Sequence, residues 1–137
     1  MTGRNAAVVQ RLADEAFNGR NWDVFDELHD SSGLVHRAGE SVTPAAIKNV
    51  HRDRLQAFPD LRWTIERQFE DGEFVITHAT WRGTHLGTHL GIQATGGTVS
   101  GEVMAIRRIV DGRIVETWAV ADTLRVVEQI GGGISQR

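Results

Sequence analysis

The sequence has no cysteine, no long apolar run and no excess of positive charge. Without cysteine there are no disulfides, thiolate nucleophiles or Cys-ligated metals, so any chemistry must use His, Asp, Glu or hydroxyl groups. No segment approaches the roughly 20 apolar residues that span a bilayer. The first residues, 1–5, also lack the apolar core of a signal peptide. We therefore expect no membrane association and a cytoplasmic location.

The charge balance argues against a nucleic-acid partner. The formal net charge is -3, and arginines are interspersed with acidic residues along the chain. Such a chain has no basic face with which to displace counterions from a phosphate backbone. Apolar residues make up 40% of the 137 residues, which is typical of a compact soluble protein, so we expect a single domain over 1–137.

The first part of the chain has apolar residues at helical spacing. A first helix is predicted over 6–18, and a second, short helix after the capping residue Asn21. A third is predicted from the Thr43-Pro44 start signal to Phe58. A brief strand over 34–37 is expected before the third helix.

From Leu61 the apolar period changes to two, which predicts strands. Hairpin turns are expected at Asp71-Gly72 and Asp111-Gly112, and the glycine-rich stretch 83–97 is expected to be a long connection. A last helix should end at Gly131. The predicted strands cover 61–69, 74–82, 99–110 and 113–121. Helices that precede hairpins indicate an α+β fold.

Asp122 is the first candidate for acid/base chemistry. It follows the last strand, on the same strand face as Glu116, Trp118 and Val120. If that face lines an apolar cavity, loss of hydration would raise the pKa of the carboxyl group and let it exchange a proton. The alternative is that Asp122 only caps the following helix. Glu116 can also pair with Arg107 across the hairpin.

Histidines supply further candidates. His78 shares the strand parity of Ile76 and can face the same cavity, or it can be an ordinary core or surface residue. His36 ends a short strand, where it can bind a ligand oxygen or have no role. His85 and His89 have a spacing of four, but the glycines around them argue against the helix that a two-histidine metal site would need. No nucleotide-binding or nucleophile-elbow motif is present, so no metal or nucleotide cofactor is expected.

The second half of the chain carries an ordered series of short motifs. They are Phe58-Pro59-Asp60-Leu61, Gly83-Thr84-His85, Gly91-Ile92, Thr95-Gly96, Arg108, Asp111-Gly112-Arg113-Ile114-Val115-Glu116, Trp118, Asp122 and Gln129-Ile130-Gly131. In this order they resemble the SnoaL-like polyketide (ester) cyclase family.

The resemblance implies a cone-shaped fold of the type found in nuclear transport factor two and ketosteroid isomerases. In that fold a curved mixed or antiparallel sheet wraps around N-terminal helices and encloses a deep apolar cavity. It also implies an apolar small-molecule substrate, no cofactor and no metal. Homodimers are common in this fold, because the outer face of the sheet needs cover, and we expect one here.

Family cyclases use an aspartate to remove a proton from an activated carbon, and the resulting enolate attacks a carbonyl of the same molecule. Asp122 matches that aspartate, with His36 and His78 as candidates to bind the enolate oxygen. The expected substrate-binding residues are Trp118, Val120, Trp81, Trp63, Phe17 and His89.

The predicted function is therefore a cofactor-independent cyclase, or a related isomerase or lyase, acting on an apolar carbonyl compound. The alternatives are a non-catalytic small-molecule-binding domain and a cofactor-independent hydroxylase of the same family. Fold alone does not choose among them.

Overall fold

The computed structural model describes residues 3–131, which form four α-helices, one π-helical segment and six strands. The helices are α1 (Arg4–Arg11), continued by the π-helical segment Leu12–Asn18, then α2 (Trp22–Leu28), α3 (Pro44–Ala57) and α4 (Thr123–Gln129). The strands are β1 (His29–Arg37), β2 (Glu40–Val42), β3 (Arg62–Asp71), β4 (Phe74–Thr84), β5 (Thr98–Val110) and β6 (Arg113–Ala121). No helix between residues 3 and 131 is both long and apolar enough to cross a bilayer.

Local sequence signals determine where several elements begin and turn. The Asn21 side chain accepts a hydrogen bond from the N–H of Val24, and the Thr43 side chain accepts one from Ala46. Both contacts satisfy otherwise unpaired donors in the first turn of a helix. Asp111 and Gly112 both have positive φ, as a tight two-residue hairpin turn requires. These caps and this turn confirm the predicted starts of α2 and α3 and the second hairpin. The first helix begins at Arg4, two residues before its predicted start, and the first hairpin turns at 72–73, one position after the predicted Asp71-Gly72.

The strands form one curved, mixed sheet in the order β2-β1-β6-β5-β4-β3. All neighbours are antiparallel except β1 and β6, which pair in parallel. Strand β1 is longer than predicted, and β2 was not predicted. A tight turn at Ala38 and Gly39, both with positive φ, connects these two strands. The observed architecture confirms the expected α+β cone.

The two faces of the sheet have different surroundings, and we call them the inner and the outer face. The helices cover the inner face and bury the main apolar cluster with it. The outer face carries large apolar side chains that remain exposed. They include Leu34, Phe74, Ile76, Met104, Ile106 and Trp118.

A bulge in β3 moves part of the predicted apolar stripe to the outer face. Trp63 and Ile65 lie opposite Trp81 and Ala79, but the register shifts before Arg67. Phe69 is consequently opposite Ile76 and is 60% exposed. One extra residue reverses the alternation of side chains.

Candidate active site: an arginine-lined cavity

A cavity of about 330 Å³ lies between the helices and the inner face of the sheet. Small-molecule sites range from about 300 to 1,000 Å³, so the cavity is at the lower end of that range. Val35 and Thr117 are buried at its closed end, whereas Ala38, Val120 and Thr123 are exposed at its open end. Small side chains keep the space free: Ala13, Ala79, Ala105, Ala119 and Ala121.

Helix α3 contributes one side of the cavity. Ile47, Val50, His51 and Arg54 all line it. Their spacing of three and four residues places them on one helical face. This face therefore combines two apolar side chains with an imidazole and a guanidinium group.

Three arginines from different elements line the cavity: Arg37 at the end of β1, Arg54 on α3 and Arg107 on β5. Within residues 3–131 none of their guanidinium groups makes a hydrogen bond or an ion pair with a side chain or carbonyl group. Arg54 instead lies over the rings of Trp63 and Trp81, about 6.0 and 5.9 Å from their centroids. No acidic residue of the described chain lines the cavity.

Burial affects the charge state of two of these arginines only slightly. It lowers the pKa of Arg54 to about 10, with a further contribution from the charge on Arg37, and it lowers the pKa of Arg107 to about 10. Both guanidinium groups remain protonated at neutral pH. Most of the cavity surface is therefore apolar, and the arginines make the electrostatic potential inside it positive.

His51 is the one imidazole in the described lining. It packs against the rings of Phe17 and Trp63, with centroids 4.3 and 6.2 Å away. Burial lowers the pKa of His51 well below its ordinary value, and the charges on Arg54 and Arg107 add to the effect. His51 is therefore neutral at pH 7 and has a free ring lone pair, although the same shift makes it a weaker proton acceptor than an ordinary histidine.

Arg107 and Thr117 lie directly opposite each other on β5 and β6, and both line the cavity. The Thr117 hydroxyl is buried and has no hydrogen-bond partner within residues 3–131. The neighbouring Thr77 hydroxyl, in contrast, donates to Gln68 Oε1 at 2.9 Å. The closed end of the cavity thus combines a free guanidinium group with an unpaired hydroxyl.

Three of the predicted wall residues line the cavity: Phe17, Trp63 and Val120. Val120 is 72% exposed, which places it at the rim. Their role in binding stays a prediction, but their position is compatible with it.

The predicted placement of His36, His78 and Trp118 in the cavity is wrong, since all three lie on the outer face. His36 stacks on Trp118 with centroids 5.5 Å apart, and its Nε2 is 2.6 Å from Glu116 Oε2. His78 Nε2 is 2.6 Å from Glu102 Oε2.

The physical reason is strand alternation. Beside the cavity the odd-numbered residues of β4, β5 and β6 face inward, among them Ala79, Arg107 and Thr117. The even-numbered residues between them, including His78 and Trp118, therefore face outward. The expected pairing of Glu116 with Arg107 fails for the same reason.

Asp122 lies at the junction of β6 and α4, but its carboxyl group does not line the cavity. One oxygen accepts a hydrogen bond from the N–H of Glu102 at 2.9 Å, and the other is 3.2 Å from Arg125. The side chain is 25% exposed and does not cap α4. The premise that this carboxyl is enclosed in the cavity is therefore not met, although the adjacent Ala121 and Thr123 are lining residues.

Trp81 and His89 lie behind the cavity wall and not in it. The Trp81 ring packs 5.1 Å from Phe58 and covers the neighbouring Gly101. His89 meets the same Phe58 ring edge-on at 5.0 Å. Both residues were expected to bind substrate, and their contacts instead stabilise the region between α3 and the 85–97 connection.

Sequence reasoning missed the arginines and the histidine that line the cavity: Arg37, His51, Arg54 and Arg107. A signal was present for two of them. Arg54 lies on the apolar stripe of α3, and Arg107 has the inward parity of Val103 and Ala105. A cation on an otherwise apolar face indicates a site and not only a packed core.

Residues 3–131 contain no cluster of three or more His, Asp or Glu side chains that could hold a metal ion. His85 and His89, in the 85–97 connection, both contact Phe58 at the end of α3, and they belong to no such cluster.

Comparison with known proteins gives a consistent result. Over 128 residues the chain is 28% identical to the aklanonic acid methyl ester cyclase DnrD of Streptomyces peucetius, covering 90% of this chain and 88% of that protein. AclR from Streptomyces galilaeus, a candidate hydroxylase, superposes with a TM-score of 0.88 at 23% identity, over 96% of this chain and 83% of its own.

IdmH from Streptomyces antibioticus, a candidate polyketide cyclase, gives a TM-score of 0.86 at 24% identity, over 94% of this chain and 99% of its own. At such identities these two structures establish the fold alone. The sequence profile of the SnoaL-like polyketide cyclases, however, matches residues 7–130. Together with the cone and its enclosed cavity, this match shows that the chain belongs to the SnoaL-like polyketide cyclase family.

Proposed function

We propose that this protein is a cofactor-independent cyclase that closes a ring in a polyketide-like carbonyl compound by an intramolecular aldol-type reaction. The observation that carries the proposal is a neutral imidazole, His51, beside unpaired arginines in an apolar cavity. A proton acceptor next to fixed positive charge is the arrangement that enolate chemistry requires. A related isomerase or lyase would use the same arrangement for its first step.

In the proposed reaction His51 takes the proton from a carbon activated by adjacent carbonyl groups. The electron pair of that C–H bond forms the enolate, whose oxygen is stabilised by Arg107. The enolate carbon then attacks a second carbonyl of the same molecule, and the alkoxide so formed recovers the proton from the imidazolium. Proton and charge balance without an external reagent.

The cavity contributes in two further ways. An enclosed site of this size holds the substrate in a folded conformation, and favourable orientation can supply about 7–11 kcal/mol in intramolecular reactions. The charge on Arg107 stabilises the enolate oxygen more strongly in the water-poor cavity than it would in solution.

Asp122 is a second candidate for the proton acceptor. Its neighbours Ala121 and Thr123 line the cavity, so a rotation of the side chain away from Glu102 and Arg125 would bring the carboxylate to the open end. That rotation would break both observed contacts, which is why we place His51 first.

Turnover of aklanonic acid methyl ester, the compound named for the relative, and of the corresponding free acid tests the proposal, and ring closure of either compound supports it. We expect ring closure without added cofactor, and a fall in kcat of about 100-fold or more for His51→Gln, within the range of general-base catalysis. The exposed Arg52→Gln on the same helix is the control and should keep full activity.

Full turnover by His51→Gln, with loss in Asp122→Asn, would transfer the role to Asp122. Wild-type protein that binds the ester and the acid without forming product from either would indicate a binding domain. Consumption of molecular oxygen with substrate would indicate a hydroxylase.

We also propose that the outer face is the contact surface of a homodimer. Ile76, Ile106 and Trp118 are adjacent across β4, β5 and β6, and each is at least 36% exposed. Polar and charged side chains border them, including the hydrogen-bonded pair His36–Glu116 and the ion pair Arg108–Glu73, which suits a surface that faces a copy of itself.

Light scattering with size exclusion tests this assembly. We expect a dimer that Ile106→Glu converts to a monomer, whereas Leu86→Glu, on an exposed loop, should leave it intact. A monomeric wild type would refute the dimer and leave the cavity proposal unaffected.

A further inference from the structure

Arginines in this protein differ in how they are neutralised. At the surface Arg11 pairs with Glu27, Arg108 with Glu73 and Arg125 with Asp122. The cavity arginines have no such partner within residues 3–131, although enclosure makes an uncompensated charge more costly than at the surface. A negatively charged ligand in the cavity would supply the compensating charge.

The cavity arginines lie at two depths. Arg107 pairs across the sheet with Thr117, whereas Arg37 pairs with Ala119, two residues nearer the open end. Two residues along a strand correspond to about 7 Å. Arg54 lies over Trp63 and Trp81, which pair with each other at the end of the sheet that carries Ala121. Arg37 and Arg54 therefore both lie nearer the open end than Arg107.

We propose that the substrate carries a carboxylate, and that Arg37 and Arg54 bind this group between them near the open end of the cavity. The inference deepens the proposed function and rests on it for the polyketide-like body of the molecule. Guanidinium groups suit this task because their planar donors match the two oxygens of a carboxylate.

This placement orients the substrate. With its carboxylate held by Arg37 and Arg54, the apolar body extends along the alanines of the inner face toward Arg107. The reacting carbon then lies deeper, at the level of the group that stabilises the enolate. The relative named above is a cyclase of a methyl ester. An ester cannot supply this charge. A preference for acid over ester would therefore distinguish the specificity of this protein from that of the methyl ester cyclase.

The test is a pair of matched probes, anthraquinone-2-carboxylate and its methyl ester. Their binding is measured by quenching of tryptophan fluorescence, since Trp63 lines the cavity. We expect wild-type protein to bind the acid about 10- to 100-fold more tightly than the ester, the range for charge-assisted hydrogen bonds. Arg54→Gln and Arg37→Gln should each remove most of this preference, and Arg52→Gln should retain it.

Equal binding of acid and ester by the wild type would overturn the proposal. So would an unchanged preference in both Arg54→Gln and Arg37→Gln, with circular dichroism confirming that each variant is folded. Competition by millimolar inorganic phosphate as effective as that of the acid would identify a general anion site and also refute it. Since these are binding measurements, failure of the cyclase proposal would appear separately, as absent turnover with the acid preference intact.

Discussion

His29 should make the fold sensitive to mild acid. It is 7% exposed, its ring stacks on Phe25 at 4.1 Å, and its Nδ1 is 2.8 Å from the Phe25 carbonyl oxygen. Burial lowers the pKa of His29 from 6.5 to about 4. Below pH 6.5 the unfolded chain therefore binds a proton at His29, whereas the folded chain binds it only below about pH 4.

The magnitude follows from this difference in proton binding. A pKa shift of one unit corresponds to about 1.4 kcal/mol, so His29 should lower the free energy of unfolding by roughly 3 kcal/mol between pH 6.5 and 4. The free energy of unfolding therefore has its full value above pH 6.5 and falls as the pH decreases toward 4. His51, whose pKa is also lowered by burial, adds to the loss in the same direction.

Urea denaturation at pH values from 7 to 4.5 measures the effect. In His29→Gln the slope of the unfolding free energy against pH should be smaller than in wild type by about 1.4 kcal/mol per pH unit. This difference corresponds to one proton fewer taken up on unfolding. Phe25→Leu is the control, because it weakens the same stacking contact without removing a titrating group. An identical pH dependence in His29→Gln and wild type would refute the reasoning.

Two further predictions concern packing and buried hydroxyls. Gly101→Ala should destabilise the fold by about 1–3 kcal/mol, because the new methyl group would overlap the indole ring of Trp81. In the control Gly97→Ala the new methyl group makes only ordinary contacts, so its stability should not change. Thermal or urea unfolding distinguishes the two variants. Thr117→Val should stabilise by about 1 kcal/mol because it removes an unpaired buried hydroxyl, and Thr77→Val should destabilise by about 1 kcal/mol because it removes a hydrogen bond. The same sign for both threonine variants in urea unfolding would contradict this account.

Local signals were sufficient for much of the fold. The caps at Asn21 and Thr43 and the turn at Asp111-Gly112 depend on residues within a few positions of one another, so they can be read from sequence. The bulge before Arg67 depends on the register of β3 against β4. No local pattern shows it, and so the exposed position of Phe69 was not predicted.

The choice of faces was the main error in the candidate site. On β6 the large side chain of Trp118 suggested the inner face, since large apolar residues are usually buried. In this fold the inner face must leave a cavity open, and it carries Ala119 and Ala121 instead. The usual rule therefore fails where binding a ligand takes precedence over filling the core.

The small inner side chains and the unpaired arginines have a common consequence. Alanines on neighbouring strands, such as Ala105 and Ala119, forgo packing that larger residues would gain, and Arg54 and Arg107 keep their charge in a poorly hydrated space. Each feature lowers the stability of the empty protein. An apolar, negatively charged ligand offsets both at once, because its body fills the space and its charge neutralises the arginines. The cavity is thus a region where the sequence favours binding over stability, which is where functional sites are expected.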